Sequence, residues 1–325
     1  MLAAEFPAML TSHVGTALSN SRQRIVITGA GGWLGLATLE LLQGALGPEF
    51  ESRVLCFGSS ERVLSLRNGT LVGQHPLPEI ALLEAKPTLV LHLAFLTKDR
   101  AEAMEEEAYR GANRLLSGTV LEALDAIGAD AVFVASSGAA AFRDDPHASA
   151  AMRLYGALKH EDEERFAAWA EKRDKRAVVG RIFNISGPYI NKVESYALAC
   201  FILDALAGRQ ITIRAAHRVV RGYVAVRELM SLIFALLLDE QKGVTRFATG
   251  GEPMEMQAVA ETVAELIGPV DVGRPALGRG SDDTYVGDEA AYRQLLAAYA
   301  IEPVPFAQQV METTRFLAGE MVESR

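Results

Sequence analysis

The chain has 325 residues, half of them apolar, and a formal net charge of −9. That length and apolar share allow a substantial core, as one large domain or a domain plus a lobe. The acidic balance argues against a general nucleic-acid surface, and no apolar run reaches membrane-spanning length without a charge or a glycine. The two cysteines, Cys56 and Cys200, offer neither a disulfide framework nor metal-ligand spacing, so no metal site is expected and a cytoplasmic location is.

Met1–Ser21 carries no Lys or Arg before Arg22, does not read as a secretory signal, and is expected to be a partly helical or disordered extension. From there apolar, β-branched strands alternate with amphipathic helices. Strands are predicted near 24–28, 53–57, 88–94, 131–136 and 177–183, and helices near 33–44, 79–85, 101–128 and 150–173. The alternation predicts an α/β chain with a Rossmann-type, doubly wound parallel sheet covered on both faces. After Pro188 the pattern loosens into helices near 195–207, 227–239, 254–267 and 288–298 with short strands between them. Residues 22–187, with returning segments, are therefore expected to form one domain and 188–325 mainly a smaller mixed lobe.

The run Ile25-Val26-Ile27-Thr28-Gly29-Ala30-Gly31-Gly32-Trp33-Leu34-Gly35 takes a strand into a glycine-rich turn and then a helix. Such a turn aims the helix's free N–H groups at one spot, where an anionic pyrophosphate can sit. Absent side chains let phosphates approach the backbone and let the helix pack on the strand. At the tip of the second strand, Val54-Leu55-Cys56-Phe57 runs into Gly58-Ser59-Ser60-Glu61-Arg62 with no Asp to bond an adenosine ribose. Ser59 and Arg62 there suit a 2′-phosphate, because guanidinium pairs well with phosphate oxygens. That points to NADP, while Glu61 keeps NAD open. Further on, the apolar strand Ala131–Ala135 delivers Ser136 and Ser137 at its C-terminal end, where open parallel sheets place ligands. Tyr155 and Lys159 then stand four apart on a predicted helix and share a face. A neighbouring ammonium favours phenolate, which would make Tyr155 a proton donor and acceptor beside a carbonyl or alcohol.

Taken in this order, these segments resemble the extended branch of the short-chain dehydrogenase/reductase superfamily, the NAD-dependent epimerase/dehydratase family that works largely on nucleotide sugars. Thr28, Gly29, Gly32 and Gly35 match its Thr-Gly-x-x-Gly-x-x-Gly turn, and Tyr155 and Lys159 its Tyr-x-x-x-Lys pair. Its strand-end hydroxyl falls on Ser137, with Ser136 as the alternative register. Leu91-His92-Leu93-Ala94 is similar to the segment passing the cofactor. Asn113 with Leu121-Glu122-Ala123 resembles the following helix. Arg181–Pro188, the stretch Ile211–Ile213 with Arg221–Val224, and Asp288 with Leu295–Pro303 resemble later family segments.

The resemblance implies a catalytic trio of Ser137, Tyr155 and Lys159. It implies a cofactor held by Thr28, Gly29, Gly32, Trp33, Leu34, Gly35, Ser59, Arg62, Leu93, Ala94, Asn113, Tyr155 and Lys159. Ser137, Asn184 and Arg221 would contact a nucleotide-sugar substrate. Arg214 and Arg218, which with Arg221 make three arginines within eight residues, could help clamp a diphosphate. Lys192 and Tyr196 are further candidates in the same region. The family's 4,6-dehydratases place an Asp-Glu pair directly after the strand-end hydroxyl, because eliminating water needs a further acid and base. Gly138-Ala139 stands there in this chain, so the resemblance does not imply dehydration. Reduction of a keto-sugar with exchangeable NADPH and epimerisation with retained NAD both remain open. So do a reductase of a non-nucleotide carbonyl compound and a catalytically inactive cofactor sensor. The resemblance also implies a homodimer, paired through helices 101–128 and 150–173 as a four-helix interface.

Overall fold

The computed structural model of the chain describes residues 9–278 and 281–323. They divide into two compact units, the first running to Ile182 and taking in Met230–Phe247, the second comprising Phe183–Leu229 and the segment from Ala248 onward.

The first unit opens with helix α1 (Ser12–Ser21), strand β1 (Arg24–Thr28), α2 (Trp33–Leu46), the short α3 (Phe50–Arg53) and β2 (Val54–Gly58). A hairpin follows, β3 (Arg62–Ser65) and β4 (Leu71–Pro76), then a 3₁₀ turn over Leu77–Leu82 and β5 (Thr88–His92). Next come α4 (Lys98–Ala103), α5 (Glu106–Ala126), β6 (Ala129–Ser137), a 3₁₀ turn over Gly138–Phe142, α6 (Ala150–Arg173) and β7 (Arg176–Ile182). The second unit supplies β8 (Asn184–Ser186), α7 (Ala197–Leu206), β9 (Ile211–Thr212) and β10 (Val219–Ala225). Helix α8 (Val226–Leu238) and strand β11 (Gly243–Ala248) carry the chain through the first unit once more. The second unit then resumes with β12 (Pro253–Glu255), α9 (Met256–Ile267), β13 (Val272–Gly273), β14 (Asp283–Tyr285), α10 (Glu289–Ala298) and α11 (Phe306–Glu323).

The main sheet has eight strands in the order β11-β7-β6-β5-β1-β2-β4-β3. Strand β1 pairs in parallel with β2 on one side and β5 on the other, so strand order reverses beside it. Doubly wound sheets take ligands beyond the C-terminal ends of the strands at such a reversal. All five residues of β1 are buried, as a strand covered on both faces requires. On one face Val26, Val90, Val132 and Val179 pack beneath Val120 and Leu124 of α5 and Phe166 and Ala170 of α6. The predicted α/β class and the five strands are present, as are the helices expected near 33–44 and 150–173.

Several expected elements differ. The helix expected over 101–128 is broken at Met104–Glu105 into α4 and α5, and the one expected near 79–85 is a 3₁₀ turn ending at Leu82. The hairpin β3–β4 and the return of β11 extend the sheet at both edges. Of the extension expected over residues 1–21, residues 1–8 lie outside the described residues, while Ser12–Ser21 is helical. Arg53 clamps that helix by donating to Leu18 O (2.9 Å) and Ser19 O (3.0 Å), a cation placed at the negative end of the helix dipole.

Within the second unit, β10 is flanked by β12, β14 and β8, and β9 pairs with β13. Helices α7, α9 and α11 pack on one another. Helix α11 ties itself to β8 through polar bonds, Gln309 accepting from the Ser186 hydroxyl (2.7 Å) and Thr313 Oγ1 accepting from Gly187 N (2.9 Å). Among the described residues no helix is long and apolar enough to cross a membrane.

Candidate active site

The turn after β1 is shaped by close backbone contacts. Gly29 has φ +74°, and a Cβ there would stand 2.7 Å from Ala94 N. Leu93 N donates to Thr28 O (3.1 Å), so the Leu93-Ala94 segment lies directly on the turn. A Cβ on Gly35 would stand 2.4 Å from Ala30 O, which is how α2 packs against the turn. Gly32 is different: its Cβ would meet Gly29 O at 3.4 Å, an ordinary contact, and the residue is exposed. The protein's own packing does not require glycine there, whereas an approaching phosphate does. Gly32 also caps α2 without any side-chain hydrogen bond, which leaves the helix N-terminus to an anion. The turn therefore fits a dinucleotide pyrophosphate. Trp33 is buried and Leu34 half-buried at the start of the helix.

At the tip of β2, Gln74 lies across Gly58, where a Cβ would meet its amide at 2.4 Å. Gln74 Nε2 donates to Ser60 O (2.9 Å) and so holds the Gly58–Ser60 turn. The antiparallel register of β3 on β4 sets Arg62 opposite Gln74. Its guanidinium then reaches back over the glycine turn, so close that a Cβ on Gly31 would be 1.7 Å from Nη2. Ser59 and Arg62 are exposed at this edge. Asn113 is spoken for by backbone: its Oδ1 accepts from Leu96 N (2.8 Å) and its Nδ2 donates to Tyr109 O (3.2 Å). It fixes the loop that carries Leu93 and Ala94.

Strand β6 ends on the two serines, and their side chains have different surroundings. Ser136 donates to the fully buried Glu163 (2.5 Å), whose carboxylate also takes a bidentate bond from Arg181 (2.8 and 2.7 Å). Ser137 accepts from Ala139 N (3.2 Å) and caps the 3₁₀ turn. The contact between that turn and α6 passes through Gly156, whose Cβ would stand 2.2 Å from Ala139 O. Sequence reasoning missed this glycine, although a glycine inside a helix is itself a signal of close packing.

One turn of α6 separates Tyr155 from Lys159. The Lys159 ammonium is buried, donates to Ala135 O (2.6 Å), sits 5.9 Å from the Tyr155 ring centre and lies 3.7 Å over the ring of Phe95. Phe95 meets Tyr155 edge-on at 5.6 Å. It is a second residue that sequence reasoning missed, and its position directly after Leu93-Ala94 was the available clue. Burial lowers the Lys159 pKa to about 8, against the opposing pull of Asp162 and Glu163. Beneath this group His92 bridges Thr28 (2.9 Å at Nδ1) and Ser117 (3.4 Å at Nε2), and Ser117 donates to Asp162 (2.6 Å). With the Ser117 hydroxyl hydrogen directed at Asp162, Nε2–H of His92 donates to Ser117 and Nδ1 accepts from Thr28. Burial, with Lys159 and Arg165 nearby, holds the His92 pKa down to about 3, so the ring stays neutral.

The second unit contains its own cavity of about 690 Å³, lined by Asn184, Arg214 and Arg221 among others, with Tyr196 also on its wall. Arg221 is paired with Asp283 (2.8 Å), and Asn184 donates to Gly222 O (3.3 Å) and Tyr285 O (3.1 Å). Arg218 does not line this cavity; it is exposed and faces Asp282 at 3.6 Å. The expected cluster of three arginines is thus brought together as two. Lys192 likewise lies outside the lining.

A sequence model of the NAD dependent epimerase/dehydratase family matches residues 25–248. A UDP-glucuronic acid decarboxylase of Arabidopsis thaliana is 32% identical over 91 residues, which is 28% of this chain and only 26% of that relative's length. Among solved structures, the UDP-N-acetylglucosamine 4-epimerase of Methanobrevibacter ruminantium M1, in complex with UDP-N-acetylmuramic acid, superposes with a TM-score of 0.70. It shares 21% identity, over 92% of this chain and 99% of its own. The UDP-glucose 4-epimerase of Thermus thermophilus, in complex with NAD, gives 0.65 at 22% identity over 91% and 99%. Likenesses at these identities show the fold.

Proposed function

The chain belongs to the NAD-dependent epimerase/dehydratase family, and from that premise we propose that it is an NAD(P)-dependent oxidoreductase of a nucleotide-linked sugar, reducing a keto-sugar with Tyr155 as acid and base. The observation that carries this reading is the cluster at the end of β6: Lys159, one helical turn from Tyr155 on α6, is bonded to the carbonyl of Ala135, which lies two residues before Ser137 on the strand. When bound, the cofactor's nicotinamide would supply or take the hydride. Thr28, Gly29, Gly32, Trp33, Leu34, Gly35, Leu93, Ala94 and Lys159 would hold the cofactor, Asn113 acting through Leu96. Ser137 hydrogen-bonds the sugar oxygen, and Tyr155 passes the matching proton. Lys159, kept cationic at neutral pH, supports charge on the Tyr155 oxygen. The bond of Ser136 to Glu163 supports Ser137 over Ser136 as the hydroxyl for the substrate.

Arg62 above the glycine turn and Ser59 beside it support NADP over NAD. Arg214, Arg221 and Asn184 around one cavity support a nucleotide diphosphate as the substrate's handle. They weigh against a carbonyl compound that lacks phosphates. Retention of both Tyr155 and Lys159 weighs against an inactive sensor. The second reading, epimerisation with retained NAD, is favoured by the activities named for the similar solved structures. We also assign a homodimer through α5 and α6, supported by Leu115, 71% exposed on α5. Two free cysteines, one buried and one half-buried, fit a reducing compartment such as the cytoplasm.

Incubation with NADPH and a panel of nucleotide-linked 4-keto sugars tests the main reading. Oxidation of NADPH with at least one of them is expected. No oxidation, together with interconversion of nucleotide sugars without added cofactor, would replace it with epimerisation.

A further inference from the structure

A cavity of the first unit, of about 580 Å³, lies at the N-terminal ends of β1, β2 and β5, the edge of the sheet opposite the glycine turn. Four cations line it, Arg22, Arg24, Arg53 and Lys86, with Glu84 as the acid among them. Arg24 is 9% exposed, and its guanidinium donates to neutral oxygens, Thr88 Oγ1 (3.0 Å) and Ile127 O (2.7 Å). Its pKa is lowered by burial, partly countered by Glu84. Arg53 is 7% exposed and its five donors are all taken, by Gln23 O, Ser19 O, Leu18 O, Ser21 Oγ and the Glu49 carboxylate (3.0 Å), so it adds charge to the hollow but no free fork. Lys86 is paired with Glu84 (2.5 Å). Both carboxylates are more than half exposed, so water screens them while two of the cations are buried. A chain of net charge −9 thus concentrates an excess of positive charge in one hollow.

Arg53 is compensated by Glu49 and the α1 carbonyls, but Arg24 is buried on neutral oxygens, which is unfavourable unless an anion compensates it. Forked guanidinium donors fit phosphate oxygens in particular. Leu82, 81% exposed, and Pro87 add an apolar rim to the same cavity, a surface for a planar or apolar group. We propose that this cavity binds a polyphosphate anion, with the rim suited to an attached nucleoside. The site is separate from the cofactor turn and stands whether or not the redox function is correct.

The test is isothermal titration of the full-length chain at low salt, on an Arg62→Gln, Arg221→Gln background that weakens the other candidate phosphate sites. Inorganic tripolyphosphate is expected to bind, and adding Arg22→Gln and Lys86→Gln should weaken it by roughly tenfold or more, the loss of about one charge-assisted contact. Both of those side chains are on the surface, and a matching melting temperature checks the fold. Arg22→Gln alone carries the test with a smaller shift. Absence of binding on the background, or binding unmoved by the Arg22 and Lys86 changes, would overturn the proposal. ATP binding more tightly than tripolyphosphate, with the difference abolished by Leu82→Ser, identifies a nucleotide as the occupant. Equal affinities identify the inorganic anion.

Discussion

Replacing Gly156 with alanine sets two effects of known size against each other. In an open helix interior the change would stabilise by about 1 kcal/mol, because alanine loses less backbone entropy. Here the new Cβ would stand 2.2 Å from Ala139 O and 2.9 Å from Ala139 C. Both are backbone atoms of the Gly138–Phe142 turn and cannot rotate away as a side chain would. Overpacking of this kind costs about 1–3 kcal/mol, so the net outcome is a loss of up to about 2 kcal/mol. The strain is relieved by moving the turn off α6, which carries Ser137 away from Tyr155. A displacement of about 1 Å in such a pair costs on the order of 10²-fold in turnover. Urea melts and turnover with NADPH and the substrate read the two effects, while fluorescence titration confirms that cofactor affinity is kept. A Gly156→Ala protein that is more stable than the parent and equally active would refute the reasoning.

Three further outcomes are expected. Arg62→Gln should weaken NADP(H) by about 10- to 150-fold, the loss of a charged hydrogen bond worth about 1.5–3 kcal/mol, and leave NAD(H) nearly unchanged; titration with both cofactors checks the difference. Lys159, with a pKa lowered to about 8 by burial, should lose its charge and its support for Tyr155 as pH rises through about 8, so turnover should fall there. Stability should move oppositely: the unfolded chain binds more protons than the native one between about 8 and 10.5, so this residue's contribution rises with pH across that window, and urea midpoints taken through it test the sign. Glu163→Gln removes the buried partner of Arg181 and Ser136 and should cost about 3 kcal/mol by thermal or urea unfolding. That is the lower end for a broken buried pair, because Arg181 is 31% exposed.

The parts of the fold legible in the sequence were those where local pattern and tertiary burial agree. The β-branched runs at 24–28, 88–92 and 129–137 are buried on both faces and read as strands, and α6 begins and ends at the expected residues. The β3–β4 hairpin was not legible, because edge strands need no continuous apolar run: Val63 and Leu71 are exposed and Gly73 and Pro76 interrupt the pattern. Helix α11 escaped for a related reason. Its inner face carries Gln309, Thr313 and Thr314, buried and hydrogen-bonded, in place of an unbroken apolar stripe. At the candidate site, Tyr155, Lys159 and the glycine turn could be read from spacing. The roles of Gly156, Phe95 and the Glu163–Arg181 pair could not, since each depends on which distant backbone or side chain comes close.

The most direct test of the account compares Tyr155→Phe with the parent chain for NADPH-dependent turnover and for NADPH affinity. The substitution keeps the ring against Phe95 and removes only the hydroxyl that passes the proton. Turnover should fall by about 10²- to 10⁴-fold, the range for losing a positioned acid–base group, with NADPH affinity largely kept. Turnover retained at the parent level would contradict the assignment of Tyr155 as acid and base.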